Sequence, residues 1–165
     1  MKRFLVVVGA FILSTFLVGC SSDTYEDLIT DTIKMLDNAT TNVGIIKSRV
    51  NEAVKESKEK EKKLDLSAAI KATEKLKETG DETQKLKRRI EQVRSQITEE
   101  QRKEYVTNQK GRLADAYKRL LAERDGLRAA LAEAEKLPRA DAKQTVKEFR
   151  EKLLEAESPF EALSR

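Results

Sequence analysis

The chain has no histidine and no tryptophan, one cysteine (Cys20) and two prolines. Each shortage removes chemistry. Without histidine there is no imidazole metal ligand, no imidazole acid or base and no Ser-His-Asp triad. With one cysteine there is no intrachain disulfide, no multi-thiolate metal site and no paired redox thiol. No glycine-rich phosphate loop is present. Aromatics make up 5% of the residues, too few for a platform that stacks sugars or bases. What is abundant is charge: 38% of residues are Asp, Glu, Lys or Arg, interleaved with Leu, Ile, Val and Ala. That mixture reads as long helices rather than disorder.

The N-terminus has a pattern of its own. Met1-Lys2-Arg3 is cationic, residues 4–18 are mostly apolar, and Leu17-Val18-Gly19-Cys20 closes the run. A cationic start, a short apolar stretch and small residues before a cut describe an export signal. Fifteen residues that include Gly9, Ser14 and Thr15 fall short of the roughly 20 needed for a spanning helix. The segment, with its lipobox and sole cysteine, resembles bacterial lipoprotein precursors. The resemblance covers about the first twenty residues. It implies that residues 1–19 are a removed signal peptide and that Cys20 is acylated, palmitate being the expected class of lipid. Residues 20–24 then form a lipidated tether. It also implies export and anchoring by lipid. Ser21 after the cysteine implies the periplasmic face of the outer membrane in a Gram-negative cell, and the alternative is the outer face of the cell membrane. Beyond this, the helical remainder resembles small lipoproteins without assigned roles.

Loss of residues 1–19 removes Lys2 and Arg3 and leaves 31 basic against 29 acidic residues among 146. A near-neutral body of this kind predicts no nucleic-acid partner, which would require a concentrated basic face.

Four helices are expected. The first is capped by Asp23 or Thr24, and its apolar positions step by three and four from Tyr25 to Val54. The run Lys58–Lys63 has no apolar side and is expected to be a solvated connection. The second helix starts near Asp65 or Ser67 and uses Leu66, Ala69, Ile70, Ala72, Leu76, Leu86, Ile90, Val93 and Ile97. Gly80 leaves open whether it breaks in the middle, and whether residues 66–136 form two helices or one long coiled-coil helix. Thr98-Glu99-Glu100-Gln101 has capping-box form and opens the third. This helix carries Val106, Leu113, Ala116, Tyr117, Leu120, Leu121, Leu127, Ala130, Leu131 and Ala134, and stops at Leu137-Pro138. A shorter fourth helix over about 141–157 uses Ala142, Val146, Phe149, Leu153, Leu154 and Ala156. Ser158-Pro159-Phe160-Glu161 reads as a fresh helix start. The fold class is therefore all-α: an elongated antiparallel three-helix bundle over 25–137 with coiled-coil-like packing. Residues 138–165 supply a short C-terminal helix and tail.

Candidate sites are few. The acidic pairs Glu26-Asp27 and Glu99-Glu100 fall at helix starts, where the dipole favours negative charge. No spaced Asp/Asn loop for Ca²⁺ appears. Lys85, Lys87, Arg88 and Arg89 are a candidate contact for phosphate headgroups or other anions. Neighbouring acids make a solvated helix face the expected state of that cluster. Asn38-Ala39-Thr40 matches a glycosylation acceptor, which in a helix is read as coincidence. Ala69, Ala72, Ala116, Ala130 and Ala134 could leave room between helices for a lipid or small apolar ligand, although tight helix packing is their usual role. No cofactor, metal or catalytic residue is expected. The primary reading is a non-catalytic structural or protein-interaction role. The expected partners are the membrane through Cys20 and an envelope protein of unknown identity, with monomer and homo-oligomer both open. An envelope carrier or sensor is the alternative.

Overall fold

A computed structural model of the chain describes residues 24–161; Cys20, the lipobox and the signal segment lie outside the described residues. Among the described residues the only regular elements are helices: α1 (Tyr25–Glu59), α2 (Ser67–Arg94), α3 (Glu99–Glu135) and α4 (Ala142–Glu161).

Two of the helix starts are written in the sequence. Thr24 heads α1, where its hydroxyl accepts from Asp27 N at 3.1 Å and its own N–H donates to Asp27 Oδ2 at 3.0 Å. Thr98 and Gln101 repeat the exchange at α3, at 3.2 and 3.1 Å. Each reciprocal pair satisfies donors that the first helical turn leaves orphaned. α2 starts differently. Leu66 occupies the cap position without a side-chain bond, and Asp65, one residue earlier, accepts from Ser67 N at 2.9 Å.

The connection between α1 and α2 is more than a solvated run. Glu61 takes a positive φ of 51°, and Ser57 Oγ donates to Lys62 O at 2.7 Å. The chain thereby folds back and drives Leu64 and Leu66 into the end of the core, where both are buried.

Cross-helix pairs give the directions. Tyr25 meets Tyr105, Asp37 meets Arg119, Lys47 meets Glu123, and Ser57 O accepts from Arg139. Numbers rise together, so α1 and α3 are parallel neighbours. Asn42 donates to Thr79 Oγ1 at 3.0 Å, and α2 runs back along α1. α4 runs down beside α2 and α3, with Glu135 bound to Arg150 at 2.9 Å and Arg124 bound to Glu157 at 2.9 Å. α1 packs on α2 and α3, and α4 packs on α2 and, more lightly, on α3. α2 and α3 scarcely touch, so the order around the long axis is α1, α2, α4, α3.

One apolar core runs through all four helices, from Ile29 and Val43 on α1 through Leu76, Leu120 and Leu131 to Val146, Phe149 and Phe160 on α4. The fourth helix thus shares the core of the first three.

Two open questions are settled and one expectation is corrected. α2 does not break at Gly80 but runs unbroken through it, because the glycine is buried where α4 crosses closely. The second and third helices are separate, joined by residues 95–98. Ser158-Pro159 starts no new helix: α4 continues through Pro159 to Glu161. Proline cannot donate to the carbonyl one turn back. Ser158 Oγ donates to that carbonyl, Glu155 O, at 3.1 Å, and burial of Phe160 rewards the continuation. In addition, Val106, Leu121 and Leu154, assigned to apolar stripes, are substantially exposed.

Candidate functional site

Buried polar groups are the first place to look for chemistry, because each must find a partner. Thr32, Thr79 and Thr83 donate to Leu28 O, Lys75 O and Thr79 O, each four residues back. Thr73 donates to Ile70 O. These hydroxyls are occupied by the backbone and are not poised as nucleophiles. The exception in kind is an ion pair. Arg124 Nε and Nη2 bind Glu157 Oε1 and Oε2 at 3.0 and 2.9 Å, with the two side chains only 13% and 11% exposed. This bidentate fork ties α4 to α3 where the two helices otherwise touch lightly. Neither residue stood out in the sequence, since a pair 33 positions apart carries no local signal.

Three carboxylates are held below the ordinary carboxylate range. For Asp27 the main cause is the hydrogen bond from the Thr24 hydroxyl, supplemented by the Thr24 N–H. For Asp65 it is the bond from the Ser67 hydroxyl, and for Glu133 the bond from Lys136. All three are caps or ion pairs at exposed helix ends. They stay ionised at neutral pH, which is the opposite of what a general acid requires.

On α2 the cationic cluster divides: Lys85, Arg88 and Arg89 stand at i, i+3 and i+4 and share one face, and Lys87 lies on another. Lys85, Arg88 and Arg89 are exposed, whereas Lys87 is half-buried. Helical geometry puts Lys85 and Arg89 roughly opposite Lys87. Lys87 therefore does not share the face of the other three.

Among the described residues, two clefts bear on a ligand site. One, of about 620 Å³, lies between the α1–α2 connection and α4, with Leu64, Leu66 and Ile70 among its walls and Lys62, Lys63 and Lys152 beside them. The other, of about 390 Å³, lies between α3 and α4 around Leu131, Leu153 and Leu154, with Arg128 and Arg150 alongside. Both are open depressions. Ala69, Ala116, Ala130 and Ala134 line neither, being buried in helix contacts, and Ala72 is half-buried. Among the described residues, no group of three or more acidic or cysteine side chains is placed to hold a metal ion. No described helix is long and apolar enough to cross a membrane.

Comparison with protein-family models, with curated proteins and with solved structures finds no match to this chain.

Proposed function

We propose that this chain is a lipid-anchored protein of the cell envelope, and that its role is structural or protein-binding rather than catalytic. The observation that carries the reading is the lipobox ending at Cys20, four residues before the Thr24 cap that opens α1. A lipid on Cys20 joins the body through a tether too short to reach far: four extended residues span about 14 Å. The bundle is read as elongated with coiled-coil-like packing. The 35 residues of α1 make a rod of about 50 Å.

Composition and geometry both weigh against catalysis. The chain contains no histidine, and its one cysteine is assigned to lipid. The buried hydroxyls bond to backbone carbonyls. The carrier alternative gains little from the clefts, which are open and charged at the margin, whereas a ligand pocket normally encloses most of an apolar guest.

Replacement of Cys20 by Ala in the native host tests the reading. The expected result is loss of acylation and release from membranes on a high-salt wash. Retention of the Cys20→Ala chain in the membrane fraction would overturn it. Crosslinking in the intact envelope, followed by mass spectrometry, then identifies the protein partner.

A further inference from the structure

α4 covers only part of the body. Its last pairings, Pro159 on Gly80 and Glu157 on Arg124, fall midway along α2 and about two thirds of the way along α3. Beyond them α2 continues to Arg94 and α3 reaches back to Glu99. α1 stands behind both, and among the described residues no fourth helix stands in front.

Helical projection identifies the residues on this open face. On α2 the line through Gly80 continues along Lys87, Glu91 and Arg94. On α3 the line through Arg124 runs back along Leu121, Tyr117, Lys110, Val106 and Lys103. Leu121 and Val106 are 39% and 37% exposed, and Tyr117 is half-buried. Near the far end the line passes Glu99, which is bonded to Arg102 at 2.6 Å. With Arg102 counted beside the four cations on these lines, five cations stand with two carboxylates, and apolar side chains lie between them. α1 has the opposite character over the same end. Glu26, Asp27, Asp31 and Asp37 outnumber Lys34 there.

The end in question is also the end at which α1 begins, so it is the end nearest Cys20. We infer that the open face of α2 and α3 docks on an anionic lipid leaflet, so that the body lies along the membrane with α1 outermost. The inference rests on the anchored reading above. Basic residues close to an anionic surface are each drawn to it, and apolar side chains among them add interfacial burial. An end-on stance would instead press the acidic first turn of α1 toward the same surface. A second copy is the less suitable occupant, because a two-fold contact sets a patch against itself and would oppose its five cations to their own equivalents.

The test uses the acylated full chain reconstituted in vesicles. Cys20 is the sole native cysteine and its thiol is blocked by lipid, so an introduced cysteine labels uniquely. Leu121→Cys reports on the open face, and Asn38→Cys, on exposed α1, is the control. Leu121 lies about 33 Å along α3 from Glu99, so tethering alone does not bring it to the lipid. With a polarity-sensitive fluorophore at position 121, iodide quenching should fall roughly threefold or more on phosphatidylglycerol vesicles relative to phosphatidylcholine. It should recover at high salt, while the label at 38 stays fully quenchable. The Lys87→Gln/Lys103→Gln/Lys110→Gln variant should lose the protection. Equal quenching at 121 on both vesicles, in chain still held by the membrane, overturns the docking alone. Protection that follows protein density rather than lipid charge also overturns it, in favour of a second copy. Chain that leaves the vesicles altogether overturns the anchoring and the docking with it.

Discussion

Gly80 and Pro159 meet so closely across α2 and α4 that a Cβ built on the glycine would lie 2.8 Å from Pro159 Cγ and 3.3 Å from its Cβ. A proline ring is rigid and cannot swing aside. Gly80 therefore permits a close approach, although glycine within a helix costs about 1 kcal/mol relative to alanine.

Gly80→Ala should destabilise the body despite its better helix propensity, by roughly 1–2 kcal/mol net of the overpacking cost. Gly111→Ala is the matched control, since a Cβ there meets nothing within 4 Å. It should stabilise by up to about 1 kcal/mol. Adding Pro159→Ala to Gly80→Ala should restore much of the loss. Urea melts of residues 23–165, followed by circular dichroism, give the values for all three variants against the parent. A stabilising Gly80→Ala would contradict the contact.

The Arg124–Glu157 fork predicts asymmetry between single and double changes. Arg124→Met leaves Glu157 as a buried, unpaired carboxylate and should cost about 3–5 kcal/mol. Arg124→Met together with Glu157→Leu removes both charges and should cost much less, because neither desolvated charge is left without a partner. The same melts report this as a double-mutant cycle. Additive losses would mean that the two side chains do not act as a pair.

These two contacts mark the limit of what the sequence revealed. The caps at Thr24 and Thr98 were legible because their partners, Asp27 and Gln101, sit three residues away. The α1 stripe was legible because Leu28, Ile33, Leu36, Val43, Ile46 and Val50 keep helical spacing and are all buried. Gly80, Pro159 and Glu157 were not, because their roles depend on which helix lies opposite. Pro159 read as a helix start by local rules, and only the Ser158 bond to Glu155 O and the burial of Phe160 explain why the helix continues. Leu64 was missed because it directly follows a charged run that has no periodicity. Val106 and Leu121 satisfied the spacing of a buried stripe, yet both are more than a third exposed. The signal at Cys20 stands on sequence alone, and of the cluster at Lys85, Lys87, Arg88 and Arg89 the helix sets Lys87 apart and keeps the other three on one face.

The capping box of α1 predicts a dependence on acid. Asp27 has its pKa lowered by bonds from the Thr24 hydroxyl and N–H. A carboxylate lowered in the folded state contributes stability above its unfolded pKa, and that contribution disappears as pH falls through the folded value. The first turn of α1 should therefore hold at neutral pH and loosen only below the ordinary carboxylate range. Asp27→Asn should make the local amide protection of residues 25–28 insensitive to acid over that window. Hydrogen exchange as a function of pH measures it. Protection that falls equally in both proteins would remove Asp27 as the cause.

The burial pattern separates two leucines that share a spacing. Leu120 and Leu154 each fall on an apolar stripe, but Leu120 is 2% exposed and Leu154 is 63% exposed. An aspartate at position 120 would put a carboxylate into the α1–α3 core, beside Ala116 and Leu127, with no cation introduced to meet it. Desolvation of that unpaired charge should cost about 3 kcal/mol or more, enough to unfold a marginal bundle at 37 °C. The same substitution at position 154 stays in water and should change stability by less than about 0.5 kcal/mol. Comparable losses at both sites would mean that α4 buries Leu154 in solution, through closure of the α3–α4 cleft or through contact with a partner. A negligible loss at 120 would show that α1 and α3 do not pack as described.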